Sequence, residues 1–222
     1  MLTLSIVTAI SDAINERRLL PGTKLNEREL AQLFGVSRTI VRQALIRLSQ
    51  DGLVSISPKR AATVSQPSFE DAFSLYQMLL IIDCGVIDQL IGHITPEQLM
   101  QLEAHTKQEA ATFKQGHAEE SDRLGRAYHR LLIGFLNNEV LSQIHLQLER
   151  KAALITSLYK VDFDYCHLRH EHVELIDALR NKQAERAKAL LASHYKLVIR
   201  GYRFDIKTPP DIDLATALRL AP

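Results

Sequence analysis

Apolar residues along this chain recur mostly at helical spacing, and one short stretch breaks the rule. Ile6, Ile10 and Ile14 fall at i, i+4 and i+8 and predict a first helix. Leu30, Ala31, Leu33 and Phe34 give an apolar face to a short second one. Asn26 is its expected cap, with Glu29 three residues on as capping-box partner. Gly35 suits the left-handed residue that stops it. Ser37 then caps a third helix, in which Val41, Ala44, Leu45 and Leu48 form one stripe, and Gly52 ends it. The pattern changes there. Residues 53–57 and 62–65 read as short strands, with Pro58, Lys59 and Arg60 as a basic turn between them.

Beyond the boundary at Pro67 and Ser68 the helical pattern returns and persists. The expected helices cover 69–92, 96–115, 118–137, 139–159, 166–180 and 183–203. Ser68 is placed to cap the first of these, and Pro96 opens the second behind Thr95. Asn137 and Asn138, then Asn181 and Lys182, supply the later breaks. Short connections and alternating stripes fit a bundle of about six helices. The fold class is therefore mainly α. Residues 1–66 form a winged helix-turn-helix with a small β-wing, and residues 67–222 an all-α bundle.

Composition adds the partner. The whole chain of 222 residues carries a net charge of only +1, which alone would not suggest nucleic acid. Its distribution does: residues 1–66 hold nine Lys/Arg against five Asp/Glu, and the remainder holds 18 against 21. A basic module joined to a mildly acidic one fits a DNA reader with a separate control domain. Arg38 and Arg42 lie one turn apart on the face opposite the apolar stripe, with Ser37 and Thr39 at the same helix end. The N-terminal residues of a recognition helix reach base edges in the major groove, where arginine binds guanine at two points or grips phosphate.

Two cysteines, Cys84 and Cys166, are too few for a disulfide framework and read as reduced core residues of a cytoplasmic protein. No stretch approaches the ~18–20 uninterrupted apolar residues of a membrane span, and no positive segment precedes the first apolar residues as in a signal peptide. No membrane partner is expected.

Residues 20–64 resemble the winged helix of the GntR family of bacterial transcription regulators. The matching stretches are LPGTKLNERELA, GVSRTIVRQAL and RLSQDGLVSISPKR. Ile40 stands where the family usually has proline, Gln43 where it has glutamate, and Ala61 where the wing carries glycine. The resemblance implies that Arg28, Arg38, Thr39 and Arg42 face DNA, with Ser37, Lys59 and Arg60 in support.

The second half is similar to the FCD effector domain of the FadR subfamily. AYHRLLIGFLNNEVL at 127–141, RHEHVELIDALRN at 169–181 and AERAKALLASHYKL at 184–197 carry the likeness. It implies a dimerising domain that senses a small molecule, often with a divalent metal such as zinc or nickel held by one Asp and three His. The histidines map to His129, His172 and His194, so that of the neighbours His167, His170 and His172 only the last is needed. The Asp position, four residues before His129, is Gly125. Asp122 stands seven residues away, two turns or roughly 10 Å of rise, too far to share the ion. The fourth position is then a water, an effector atom or another residue. Three imidazoles leave the site more positive than usual, which favours an anionic group there.

An arginine that serves carboxylate effectors in relatives aligns with Leu79, ahead of Asp83. Its loss weakens the expectation of a small organic acid as effector. The apolar run from Met78 to Ile82 reads as core in preference to pocket lining or dimer contact. The expectation is a homodimeric repressor on a pseudo-palindromic double-stranded operator, controlled by a small-molecule effector. Two alternatives stand beside it. One is a metal-responsive regulator. The other is a metal-dependent enzyme, against which no placed general base accompanies the three histidines.

Overall fold

The computed structural model describes residues 2–58, 60–161, 165–205 and 212–220, with side chains for all of these except Ala118, Glu119 and residues 165–169. In chain order the elements are α1 (Leu2–Asn15), β1 (Lys24–Leu25), α2 (Glu27–Leu33), α3 (Arg38–Gln50), β2 (Val54–Ser55), β3 (Ala62–Val64), α4 (Phe69–Leu90), α5 (Pro96–Lys114), α6 (Ala118–Gly134), α7 (Glu139–Tyr159), α8 (Tyr165–Arg180), α9 (Ala184–Arg200) and α10 (Leu214–Ala217). The fold class is the expected one: mainly helical, with one small antiparallel sheet. Contacts divide the chain into two compact units. One comprises Met1–Phe69, Leu154–Lys160 and Arg203–Pro222; the other comprises Glu70–Ala153 and Val161–Tyr202.

In the first unit the caps follow the sequence. Asn26 accepts hydrogen bonds from the backbone N–H groups of Arg28 and Glu29, which opens α2. The reciprocal bond expected of the Glu29 side chain is not among the described hydrogen bonds. Gly35 takes φ +63°, and Ser37 Oγ accepts from Ile40 N to open α3. Gly52 turns the chain out of α3 with φ +78°. The apolar stripes meet in a core where Ile6, Ile10, Ile14, Leu30, Leu45 and Leu48 are essentially inaccessible to solvent.

The wing has one strand more than its sequence signals. β3 pairs antiparallel with β2 (Val54 opposite Val64) and also with β1 (Lys24 opposite Thr63), giving the order β1-β3-β2. On β3, Ala62 and Val64 are buried and Thr63 between them is half-buried, the period of two that seats a strand on a core.

Later segments complete this unit. Arg17 donates through Nε to the carbonyl of Ser157 at 3.1 Å and through Nη2 to that of Lys160. Leu154 Cδ2 lies 4.0 Å from where a side chain on Gly52 would begin. The rings of Tyr159 and Phe204 pack with centroids 4.5 Å apart, and Arg219 pairs with Glu16 at 2.8 Å. The short helix α10, which the sequence pattern does not announce, is capped by Asp213 and buries Leu214 and Ala217.

In the second unit the helices match their sequence expectations to within about three residues at each end. Thr95 and Gln98 form a reciprocal capping box with Pro96 at the first helical position. The core gathers Ile87, Leu102, Tyr128, Ile133, Leu179 and Leu191 from α4, α5, α6, α8 and α9. Helix α4 is long and apolar enough, by length and composition, to cross a membrane. Here it is a core helix whose buried Asp83 is hydrogen-bonded to two other helices. Its apolar run divides: Leu79 is buried, Leu80 and Ile82 pack partly on the core, and Met78 and Ile81 are exposed.

Candidate functional site

Two regions of the chain carry the candidate chemistry. The first is the exposed edge of α2 and α3 with the wing turn. Arg28, Ser37, Arg38, Thr39, Arg42 and Arg60 are all solvent-exposed; Lys59 lies outside the described residues. Because α3 buries Val41, Ala44, Leu45 and Leu48, its other face turns Arg38, Thr39 and Arg42 outward.

Glu27, at the first turn of α2, organises the two arginines. Arg42 donates to its two carboxylate oxygens at 2.9 and 2.8 Å, a two-point contact, and Arg38 Nη2 reaches Oε2 at 3.5 Å. The Arg42 hydrogen bonds hold the Glu27 carboxyl below its usual range and raise the guanidinium in turn. Both arginines are more than half exposed, so solvent screens the pairing and leaves them able to exchange partners.

The second region lies inside the bundle. His129 comes from α6, His172 from α8 and His194 from α9, and all three are buried with one ligand atom from each within 4.8 Å of the others. Neighbouring carboxylates meet their Nδ1 atoms. Asp83 of α4 lies 2.7 Å from His129 Nδ1 and also accepts from Tyr195 Oη at 2.6 Å. Glu109 of α5 lies 3.3 Å from His172 Nδ1, and Glu171 of α8 lies 3.3 Å from His194 Nδ1. Tyr128 stacks on the His172 ring with centroids 4.3 Å apart and 14° between planes.

Burial favours the neutral form of two of the rings, His172 and His194. Burial pushes His172 well below its ordinary pKa, and the nearby His129 pushes the same way. Burial also lowers His194 to about 4, against the opposing pull of Glu171. At His129 and His172 a carboxylate lies within hydrogen-bond distance of Nδ1; a neutral imidazole held in this way keeps a lone pair on Nε2, the arrangement found in metal-binding histidines. His172 Nε2 is buried with no hydrogen-bond partner among the described residues. An unpartnered buried nitrogen is costly, and a bound cation removes that cost. The residues present therefore fit a divalent metal. Such an ion would be held by His129, His172 and His194, and would supply a fixed positive charge inside the bundle.

Among the neighbours, His170 is exposed and pairs with Glu174 at 3.4 Å, while the side chain of His167 is outside the described residues. Asp122 is not part of the cluster. Cys84 is a partly buried free thiol, raised by burial; the side chain of Cys166 is outside the described residues. Sequence reasoning missed Glu27, Glu109, Glu171 and Tyr195. Glu171 and Tyr195 each adjoin a mapped histidine, which was a usable signal. Glu109 stands 63 residues from its partner His172 and gave none.

A winged helix-turn-helix followed by a helical bundle with an internal histidine cluster defines a class of one-chain regulators that join a DNA reader to a sensing domain. Residues 2–64 match the model of the bacterial regulatory proteins of the gntR family, and residues 74–197 match the FCD domain. The chain belongs to the GntR family and carries an FCD effector-binding domain.

It is 24% identical over 189 residues to the HTH-type transcriptional repressor RspR of Escherichia coli K12, covering 83% of this chain and 82% of that protein. It is 25% identical over 196 residues to the regulator McbR of the same organism, covering 86% and 88%. The solved structure of E. coli McbR/YncC shares the fold with a TM-score of 0.64 at 22% identity, covering 90% of this chain and 96% of that one. So does that of Lar, described as controlling the Listeria monocytogenes agr system, with a TM-score of 0.66 at 18% identity and the same coverage. The chain is a transcriptional regulator, and its relatives are not enzymes.

Proposed function

We propose that this regulator is a repressor that binds a pseudo-palindromic operator as a homodimer, and that a small-molecule effector in its helical domain changes its affinity for DNA. The observation that carries the reading is the coexistence of an exposed arginine pair at the head of α3 with a buried cluster of three imidazoles. In this reading Arg38, Thr39 and Arg42 read base edges, Arg28 and Ser37 secure the backbone at the helix ends, and Lys59 and Arg60 grip phosphate or the minor groove from the wing.

The histidines bind a divalent metal, zinc or nickel, consistent with imidazole ligation. The effector binds in the same domain and acts by favouring one arrangement of the DNA-reading heads over another. Phe73, Met78 and Ile81 on α4 are large apolar side chains exposed in the single chain, which supports coverage by a second copy. A repressor reading chromosomal DNA works in the bacterial cytoplasm.

Gel shifts on the intergenic DNA beside its own gene test the reading. Tight, sequence-dependent binding that Arg38→Ala weakens supports it; wild-type and Arg38→Ala proteins that bind equally would remove the assignment to α3. Operator affinity that follows free metal with no organic ligand present would favour the metal itself as the signal.

A further inference from the structure

The three-imidazole cluster lacks a carboxylate on α6, and the space beside it is not open. A Cβ built on Gly125 would lie 3.2 Å from Glu109 Oε1 and 4.0 Å from His172 Cε1. Glu109 reaches this point from α5, a different helix, and is only 2% exposed. Its other carboxylate oxygen meets His172 Nδ1 at 3.3 Å. One side chain thus fills the room that glycine leaves, orients the ring and brings charge into a place with little water.

Of the three carboxylates around the cluster, Asp83 serves His129 and Tyr195 together, and Glu171 lies on His194. Only Glu109 abuts the residue without a side chain. A dication among neutral rings needs compensating negative charge, because desolvating it unpaired is expensive. Any residue larger than glycine at 125 would press on that carboxylate. The glycine and the glutamate therefore read as a matched pair.

We propose that Glu109 is the carboxylate of the three-histidine site, entering from α5 through the space left at Gly125 to orient His172 and to balance the charge of a divalent cation. The proposal rests on the metal reading given above and assigns to it a residue that the sequence pattern does not point to. It follows that a carboxylate placed on α6 is best accommodated when Glu109 is removed at the same time.

The test is a swap measured on the full-length protein. Zinc affinity, by competition with a chromophoric chelator, and zinc content, by elemental mass spectrometry, are compared for wild type, Glu109→Gln, Glu109→Ala, Gly125→Asp and the double variant Glu109→Ala with Gly125→Asp. Circular dichroism confirms that each is folded. Glu109→Gln keeps the size and removes the charge, and is expected to weaken zinc binding about 10- to 100-fold, as is usual when a partner of a metal-bound histidine is lost. Glu109→Ala should lose at least as much. Gly125→Asp alone should melt earlier, because two carboxylates would compete for one buried space. The double variant should recover zinc affinity to within a few-fold of wild type.

Tight zinc binding in wild type that Glu109→Gln leaves unchanged would overturn the role of Glu109 and spare the metal reading. A double variant no better than Glu109→Ala would overturn the matched pair. Wild type with no affinity for zinc would bring down the metal reading itself, and Glu109 with it.

Discussion

The head of α3 and the centre of the bundle handle charge in opposite ways. At the head, two arginines sit in solvent and share one carboxylate, Glu27, which they can exchange for phosphate or a base edge at little cost. In the bundle, three buried imidazoles each have a carboxylate near Nδ1, and burial holds His172 and His194 below their ordinary pKa. The head is poised to change partners and needs only local rules to form. The bundle centre is fixed in advance by side chains from five helices. Under the function proposed above this is a division of labour: recognition sits where desolvation is cheap, and sensing sits where every polar atom counts.

The largest expected effect lies in the bundle. His172→Ala removes one ligand and its contact with Glu109, and metal content should fall from about one ion per chain to none by elemental mass spectrometry. Retained metal would mean that the ion sits elsewhere. At the head, losing an arginine that contacts a base at two points costs roughly 1–3 kcal/mol, or about 5- to 150-fold in affinity. Arg38→Ala should show this in gel shifts and relax the preference at one or two base positions. Arg60→Ala should instead weaken binding evenly across sequences and reduce the salt slope by about one.

The contrast also has a pH signature. Burial lowers His172, His194 and His145 relative to an unfolded chain, so below their ordinary range the unfolded chain takes up protons that the folded one refuses. Stability of the metal-free protein is therefore full above about pH 6.5. It should fall as the pH drops toward 4, by on the order of 3 kcal/mol for His194 alone, whose pKa is lowered to about 4. Urea titrations at a series of pH values would read this, and a flat profile between pH 7 and 4 would contradict it. The smallest effect belongs to Glu27→Gln. Freed of their shared carboxylate, Arg38 and Arg42 should bind random-sequence DNA a few-fold more tightly, and discriminate less, in fluorescence anisotropy titrations.

The same contrast governs how much could be read from the chain. Asn26, Ser37, Gly35 and Gly52 act within a few residues of themselves, so the helix-turn-helix was legible down to its caps. The three histidines were legible through family resemblance, but their surroundings were not. Asp83 reaches His129 across 46 residues and Glu109 reaches His172 across 63, from α4 to α6 and from α5 to α8, which no local pattern encodes. β1 escaped notice because two residues carry no periodicity; the backbone pairing of Lys24 and Leu25 with β3 makes it a strand. The capping box expected of Glu29 did not form among the described hydrogen bonds, although the same motif closed fully at Thr95 and Gln98.

Arg17 and Glu16 find polar partners at Ser157 and Arg219, far along the same chain. On the ribosome, the DNA-reading unit therefore emerges early and then waits. Its last contacts become available only after the whole sensing bundle has been synthesised. A nascent or prematurely terminated chain would carry the recognition helix without those contacts.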